Sequence, residues 1–500
     1  MSSFQRFISN ISWNFFGKVC VQILLFGVSV LLARYLGKEK LGVYATLLVV
    51  PTFVRLLNQF GLEFLINKKI PELNVLDPSG KQSRYLIKSL LAIRAGTSVF
   101  FSILIYAGLP YYLDFIGAPE LVEYRLVLIL YFLVICFNSL LSTLFMTQLR
   151  YRVVSITEIG CAFLNLIFLA GFIFQDWGIK GVLYAYIIST SINIIIYFGL
   201  AWNGIKGEVH APDFKEMYSL GGATYLTALL SLGLITQADV LLMNYFQVQS
   251  SGIGFYHLAT GLGGMLAFVL VGVGPLALSI FSEIYTRGAE KELSQIWCQI
   301  VGFVSFLTVP IFVFAFFHAE SLISFVYGEQ FRQAGDLLSL YIIFVGSATI
   351  LGLDFVTSTL FVMHRRNTVV RINVEGSVLN IGLNLLLIPI YKENGAVVAT
   401  GFAMLYMVGR QLFVIQKNID ISQVWPIIGR CLLFSIIAVI PTQVLDFFIL
   451  DHIFGSIFIF AFTFLITLAG FKPFTKTQAQ MLKNIHPSFP QWISWFVRAN

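Results

Sequence analysis

Long apolar segments dominate this sequence and decide what it can fold into. About fourteen stretches of roughly twenty residues, the first from Trp13 to Leu32, are apolar and are separated by short polar connections. A stretch of that length crosses the hydrocarbon core of a bilayer as an α-helix. With 58% apolar and 11% charged residues, the chain lacks the charged surface that a soluble protein of 500 residues needs. The sequence therefore predicts an all-α polytopic membrane protein, and it excludes a soluble enzyme and a nucleic-acid-binding protein.

A hydropathy window of about nineteen residues locates the predicted membrane spans. The longest polar connection, Asn67 to Lys88, carries turn signals at 77–80, and no connection is long enough to form a separate domain. After the last span, residues 472–500 are polar and then aromatic, as in a segment that lies on the membrane interface. The predicted spans are 13–33, 41–65, 88–109, 123–147, 153–174, 178–202, 218–244, 252–281, 294–317, 337–363, 369–390, 395–416, 422–444 and 452–471.

Lysine and arginine residues are distributed unevenly over these connections. Twenty lie in one set of alternating connections and seven in the other set. Because positive residues accumulate on the cytosolic side of a membrane protein, the richer set is predicted to be cytosolic. An even number of spans then places both termini in the cytosol, in a multi-pass protein of the cell (inner or plasma) membrane.

The sequence contains an internal repeat with a period of about 210 residues. The segment around Tyr35 and Tyr44 recurs around Tyr245 and Tyr256. Six predicted spans separate equivalent points, so both copies enter the membrane in the same direction, which predicts two parallel six-helix lobes with a cavity between them. The predicted domains are an N-terminal lobe (1–210), a C-terminal lobe (211–418), an extra helix pair (419–471) and a cytosolic or interfacial tail (472–500).

Neither a cofactor nor a metal site is predicted. The five cysteines lie inside apolar runs without a C-x-x-C motif, and the six histidines show no ligand spacing. A nucleotide-binding G-x-x-x-x-G-K-[ST] motif is also missing from the sequence. A transporter with these features would have to be driven by an ion gradient, by the membrane potential or by consumption of its transported product.

Several segments carry a family resemblance. They are Leu32 to Gly37 with the residues that follow it, Ala238 to Leu242, Tyr327 to Phe331, and Leu379 to Pro389. Together they resemble bacterial polysaccharide-export flippases, the Wzx-type members of the multidrug/oligosaccharidyl-lipid/polysaccharide exporter superfamily. The resemblance extends from about residue 10 to residue 417, and the two further helices are similar to those of members with fourteen spans.

The resemblance implies a transporter that works by alternating access, and not an enzyme. Its substrate would be a polyprenyl-diphosphate-linked oligosaccharide, moved from the cytosolic to the outer leaflet for surface polysaccharide biosynthesis. Its partners would be that lipid-linked oligosaccharide, the surrounding membrane lipid, and a polysaccharide polymerase or other assembly proteins. Three alternatives remain open: a cation antiporter like the multidrug and toxin extruders, a membrane enzyme that acts on lipid-linked sugars, and a structural or assembly protein.

Ionisable residues inside the predicted spans mark the candidate site, because a charge is costly in the bilayer unless it has a function or a partner. Arg55 lies near the middle of the second span, and Lys18 and Arg94 lie in the spans before and after it. We expect these three to bind substrate in the central cavity, since a guanidinium pairs well with phosphate. The acidic Asp239 and Asp354 of the second lobe are predicted counter-ions or coupling groups.

Overall fold

The computed structural model describes residues 3–210, 234–267, 281, 284–285, 287–288, 290–448 and 453–471. These residues form helices joined by short turns, with no strand among them. Nine helices of the described part are long and apolar enough to cross a membrane. Two of them, Ser3–Leu57 and Arg366–Gln416, contain a sharp kink and each correspond to two predicted spans. The all-α polytopic fold is therefore confirmed.

The chain divides into two compact units, of which the first contains Met1–His257 and Asn384–Glu393. Close helix packing holds this unit together: a Cβ added at Gly17 would overlap the side chain of Ser155, whose hydroxyl donates to the Trp13 carbonyl at 2.8 Å. The helices of the first unit are α1 (Ser3–Leu57), α2 (Leu62–Leu76), α3 (Lys81–Phe115), α4 (Arg125–Thr147), α5 (Tyr151–Phe174), α6 (Gly178–Ile205), α7 (Leu234–Tyr245) and the first residues of α8 (Ser250–Leu266).

Two backbone irregularities shape the first helices. Inside α1, Gly37 has φ 71° and ψ 174°, a conformation that glycine adopts at little cost, and it separates the first predicted span from the second. The second span, predicted as continuous from 41 to 65, is instead broken: α1 ends at Leu57, Phe60 and Gly61 have positive φ, and α2 begins at Leu62. The prediction of an unbroken helix here was wrong.

The predicted polar connection from Asn67 to Lys88 is also mostly helical, because α2 continues to Leu76 and α3 begins at Lys81. Apolar side chains on one face of α2 pack into a buried cluster with α3 and α4. Only a short turn remains between α2 and α3, where the Asp77 carboxylate accepts hydrogen bonds from the Ser79 hydroxyl and the Gln82 backbone N–H. These bonds, with that of Ser79 the larger effect, lower the pKa of Asp77.

The second unit contains Leu258–Leu383 and Asn394–Asn500. Its last two described helices pack against each other around Val439 and Phe460, and they match the predicted extra helix pair. The predicted tail, 472–500, lies outside the described residues. The helices after α8 are α9 (Glu290–Phe317), α10 (Ala319–Tyr327), α11 (Ala334–Tyr341), α12 (Ser347–Ile350), α13 (Leu353–Val362), α14 (Arg366–Gln416), α15 (Val424–Phe448) and α16 (Ile453–Phe471).

Candidate functional site

Arg55 lies on α1, one turn after Pro51 and just before the break in the second span. Its side chain is partly exposed and makes no hydrogen bond or ion pair with any residue that the structure describes. It interacts electrostatically with Tyr131 of α4, Tyr186 of α6 and the Cys136 thiol. Burying an arginine charge alone would cost several kcal/mol, so this partly exposed guanidinium in the last turn of α1 is a candidate for contact with water or an anion.

Lys18 lies nearer the start of α1, next to the close contact between α1 and α5. Its side chain is exposed, and its charge interacts with that of the partly buried Glu158 of α5. Within the described part of the chain, neither side chain forms a hydrogen bond. Lys18 and Arg55 are thus accessible cations within the predicted spans of the first unit, and Glu158 is a partly accessible acid beside Lys18. No described contact joins the two cations directly.

Arg94, the third predicted ligand, has a different environment. Its side chain is 0% exposed and donates to the Asn58 carbonyl oxygen at 2.5 Å and to Glu63 Oε1 at 2.5 Å. The hydroxyl of Ser139 donates to the same Glu63 oxygen at 3.2 Å. This geometry favours a structural role for Arg94 in place of the predicted contact with substrate.

The break in the second span explains why Arg94 is held there. A helix that ends inside the protein leaves carbonyl oxygens without partners, and Arg94 satisfies that of Asn58. The Asn58 side chain is itself buried and donates to Ser98 Oγ at 3.0 Å and Cys136 Sγ at 3.3 Å. Sequence reasoning missed this cluster, although Asn58 and Glu63 are polar interruptions of an apolar run.

Asp239, a predicted counter-ion or coupling group, is 1% exposed on α7. Tyr256 Oη donates to its Oδ2 at 2.5 Å, and Asn384 Nδ2 donates to its Oδ1 at 2.7 Å. Both donors are neutral, and they hold the carboxylate inside the first unit. The side chain of Asp354, the other predicted acid, lies outside the described residues. No group of three or more His, Cys, Asp or Glu in the described ranges is arranged to hold a metal ion.

Comparison with known proteins now identifies the family. The family model for polysaccharide biosynthesis proteins matches residues 31–336, which is more than half of the chain. The chain belongs to this family. The matched region includes Arg55, Arg94 and Asp239, whereas Lys18 and Asp354 lie outside it.

Relatives and solved structures agree with this assignment. A probable low-salt glycan biosynthesis flippase of Haloferax volcanii, Agl15, is 23% identical over 87% of this chain and 87% of its own length. A structure of the lipid II flippase MurJ in an inward closed conformation has a TM-score of 0.72 and 17% identity, covering 93% of this chain and 98% of that one. An inward-facing multidrug resistance transporter of the MOP superfamily has a TM-score of 0.66 and 14% identity, covering 81% and 95%. The chain thus has the fold of these flippases and transporters.

Proposed function

We propose that this protein moves a polyprenyl-diphosphate-linked oligosaccharide from the cytosolic to the outer leaflet of the cell membrane by alternating access. The observation that carries the proposal is Arg55, a partly exposed guanidinium in the last turn of α1, inside the predicted second span, with no hydrogen bond or ion pair among the described residues. The family, the glycan flippase relative and the lipid II flippase fold support a substrate of this kind.

The diphosphate is the part of such a substrate that needs a cation inside the membrane. A guanidinium binds phosphate oxygens through two parallel N–H donors, and a charge-assisted hydrogen bond of this type contributes about 1.5 to 3 kcal/mol. Arg55 can offer this bidentate contact because its donors are not used within the described protein. The exposed ammonium of Lys18 would add attraction for the same anion from a position nearer the cytosol.

A cation antiporter remains the second candidate, and Glu158 is the observation that favours it. This acid is partly exposed inside the first unit, and a drug cation would require such a group. The similar fold of the multidrug resistance transporter is compatible with this function as well. We give it second place because Lys18 lies close enough to offset the charge of Glu158, whereas Arg55 makes no ion pair with a described acid.

The remaining features of the proposal follow from the sequence. Both termini would be cytosolic, and a polymerase or other assembly proteins would use the flipped lipid. The protein itself would carry out no covalent step. Asp239 and Asp354 remain proposed coupling or counter-ion groups for the transport cycle.

Export of the polysaccharide tests the proposal in a strain that lacks the gene. Wild-type protein should restore export, and Arg55→Ala should lower it about tenfold or more at equal protein level in the membrane. Arg430→Ala is the matched control, because Arg430 is an exposed arginine of a membrane helix in the second unit. Normal export by Arg55→Ala would refute the diphosphate role of Arg55.

A further inference from the structure

Three tyrosines of different helices form a cluster, and two of them, Tyr131 and Tyr186, interact electrostatically with Arg55. Tyr131 of α4 and Tyr186 of α6 have ring centroids 4.8 Å apart with planes inclined by 35°. Tyr44 of α1 interacts electrostatically with both, and its ring meets that of His257 at 6.2 Å in an edge-to-face arrangement. The cluster therefore joins α1, α4, α6 and the start of α8 within the first unit.

Two of the three hydroxyl groups of this cluster have no described hydrogen-bond partner, whereas that of Tyr186 forms a hydrogen bond with the Thr190 side chain. Neither Tyr44 nor Tyr131 makes a hydrogen bond with a described residue, and neither hydroxyl is among the buried polar atoms that lack a partner. Tyr44 and Tyr186 are partly exposed, Tyr131 is 8% exposed, and His257 beside Tyr44 is exposed. A polar molecule at the exposed part of the cluster would meet aromatic faces together with the hydroxyls of Tyr44 and Tyr131.

The chemistry of these side chains fits a carbohydrate. A tyrosine ring offers an apolar face to the C–H groups of a pyranose, and its hydroxyl can donate to and accept from the hydroxyls of the sugar. The cluster adds no formal charge of its own that would favour a second phosphate. A drug cation could also stack on these rings, but the neighbouring Arg55 would repel it.

The spacing of Tyr44 and Arg55 along α1 indicates which part of the substrate the tyrosine cluster would contact. Tyr44 precedes Arg55 by eleven residues, which corresponds to about 16 Å along a helix. Next to Tyr44, Gly42 packs against the Ser250 carbonyl so tightly that no Cβ would fit, so α1 contacts the start of α8 there. A substrate whose diphosphate is at Arg55 and whose sugar units extend along α1 toward Tyr44 would bring those sugars to the tyrosines.

We infer that Tyr44, Tyr131 and Tyr186 form a subsite that binds the sugar units next to the diphosphate of the lipid-linked oligosaccharide. The inference rests on the proposed function, since it takes the diphosphate to be at Arg55. It adds a separate recognition element: Arg55 recognises the anion that all such lipids share, and the tyrosines recognise the sugar attached to it.

Two lipid probes separate the roles of these groups. The first is undecaprenyl diphosphate without sugar, and the second is the lipid-linked oligosaccharide purified from a strain that lacks the gene. Binding of each to the purified full chain in detergent is measured by native mass spectrometry. Tyr186→Leu and Tyr131→Leu should weaken binding of the oligosaccharide lipid about fivefold to tenfold and leave the bare diphosphate lipid unchanged. Arg55→Ala should weaken binding of both lipids.

Tyr184→Leu is the control, because Tyr184 is a partly buried tyrosine of the same helix whose ring packs on Trp177. Melting temperatures show that each variant is folded, and Tyr186→Phe is measured if a leucine variant is not. The subsite is refuted if the tyrosine variants weaken both lipids equally or neither lipid. If Arg55→Ala changes neither affinity while Tyr186→Leu weakens the oligosaccharide lipid, the diphosphate role fails and the sugar subsite stands.

Discussion

Arg55 and Arg94 lie on successive membrane segments of one unit and have opposite environments. Both interact electrostatically with Cys136, so they flank the same part of α4. Arg94 is fully buried and bound to Glu63 and to a backbone carbonyl. Arg55 is partly exposed and has no partner in the described structure. Arg94 thus stabilises the broken helix, whereas Arg55 is the proposed contact for the diphosphate of the substrate.

The largest expected effect concerns Arg94. Arg94→Ala should destabilise the protein by about 3 to 5 kcal/mol, because it leaves the Glu63 carboxylate in a mostly buried site without its partner. Membrane protein levels and thermal unfolding in detergent measure this effect. Replacing both Arg94 and Glu63 with leucine should restore much of the lost stability. If Arg94→Ala is stable but binds substrate more weakly, Arg94 contacts the substrate as Arg55 is proposed to do, and the structural role of Arg94 is refuted.

A smaller effect is expected at Asp239, which resembles Arg94 in being buried and paired. Asp239→Asn should cost about 1 to 3 kcal/mol, since one of its two oxygens becomes an NH₂ group that faces a donor, Tyr256 or Asn384. Thermal unfolding measures the cost. A variant with unchanged stability but no export would instead assign Asp239 to energy coupling.

A still smaller effect is expected at Glu158, the acid whose charge interacts with that of Lys18. Glu158→Gln removes the acid that faces Lys18, so affinity for undecaprenyl diphosphate should rise by about two- to fivefold at low salt. Titrations of wild-type and variant protein at two salt concentrations measure this change. The antiporter function would be favoured if wild-type protein bound an organic cation more strongly than the diphosphate lipid and if Glu158→Gln lost that binding of the cation.

Much of the fold could be predicted from the sequence, because a membrane-spanning helix requires a whole run of apolar residues. The membrane-spanning helices and the final helix pair follow from apolar runs of about twenty residues. The break at 58–61 was not predicted, since Asn58 and Glu63 are tolerated only through contacts with α3 and α4 that are distant in sequence. For the same reason the sequence located Arg55 and Arg94 but could not separate their roles.

The tyrosine cluster of the candidate site could not be predicted from the sequence either. Tyr44, Tyr131 and Tyr186 come from three helices, and nothing in their spacing along the chain distinguishes them from tyrosines that only pack. Their proposed role comes from their contacts with one another and from the hydroxyls of Tyr44 and Tyr131, which make no hydrogen bond with a described residue. A charged residue in a span is visible in the sequence, whereas an unused hydroxyl becomes visible only after folding.

Binding of undecaprenyl diphosphate to purified wild-type, Arg55→Ala and Arg55→Lys protein tests the central claim most directly. We expect Arg55→Ala to lose about tenfold or more in affinity with an unchanged melting temperature. Arg55→Lys should recover only part of the loss, because an ammonium cannot reproduce the bidentate contact of a guanidinium. Equal affinity of wild-type and Arg55→Ala protein, both folded and measured beside Arg430→Ala, would contradict the account.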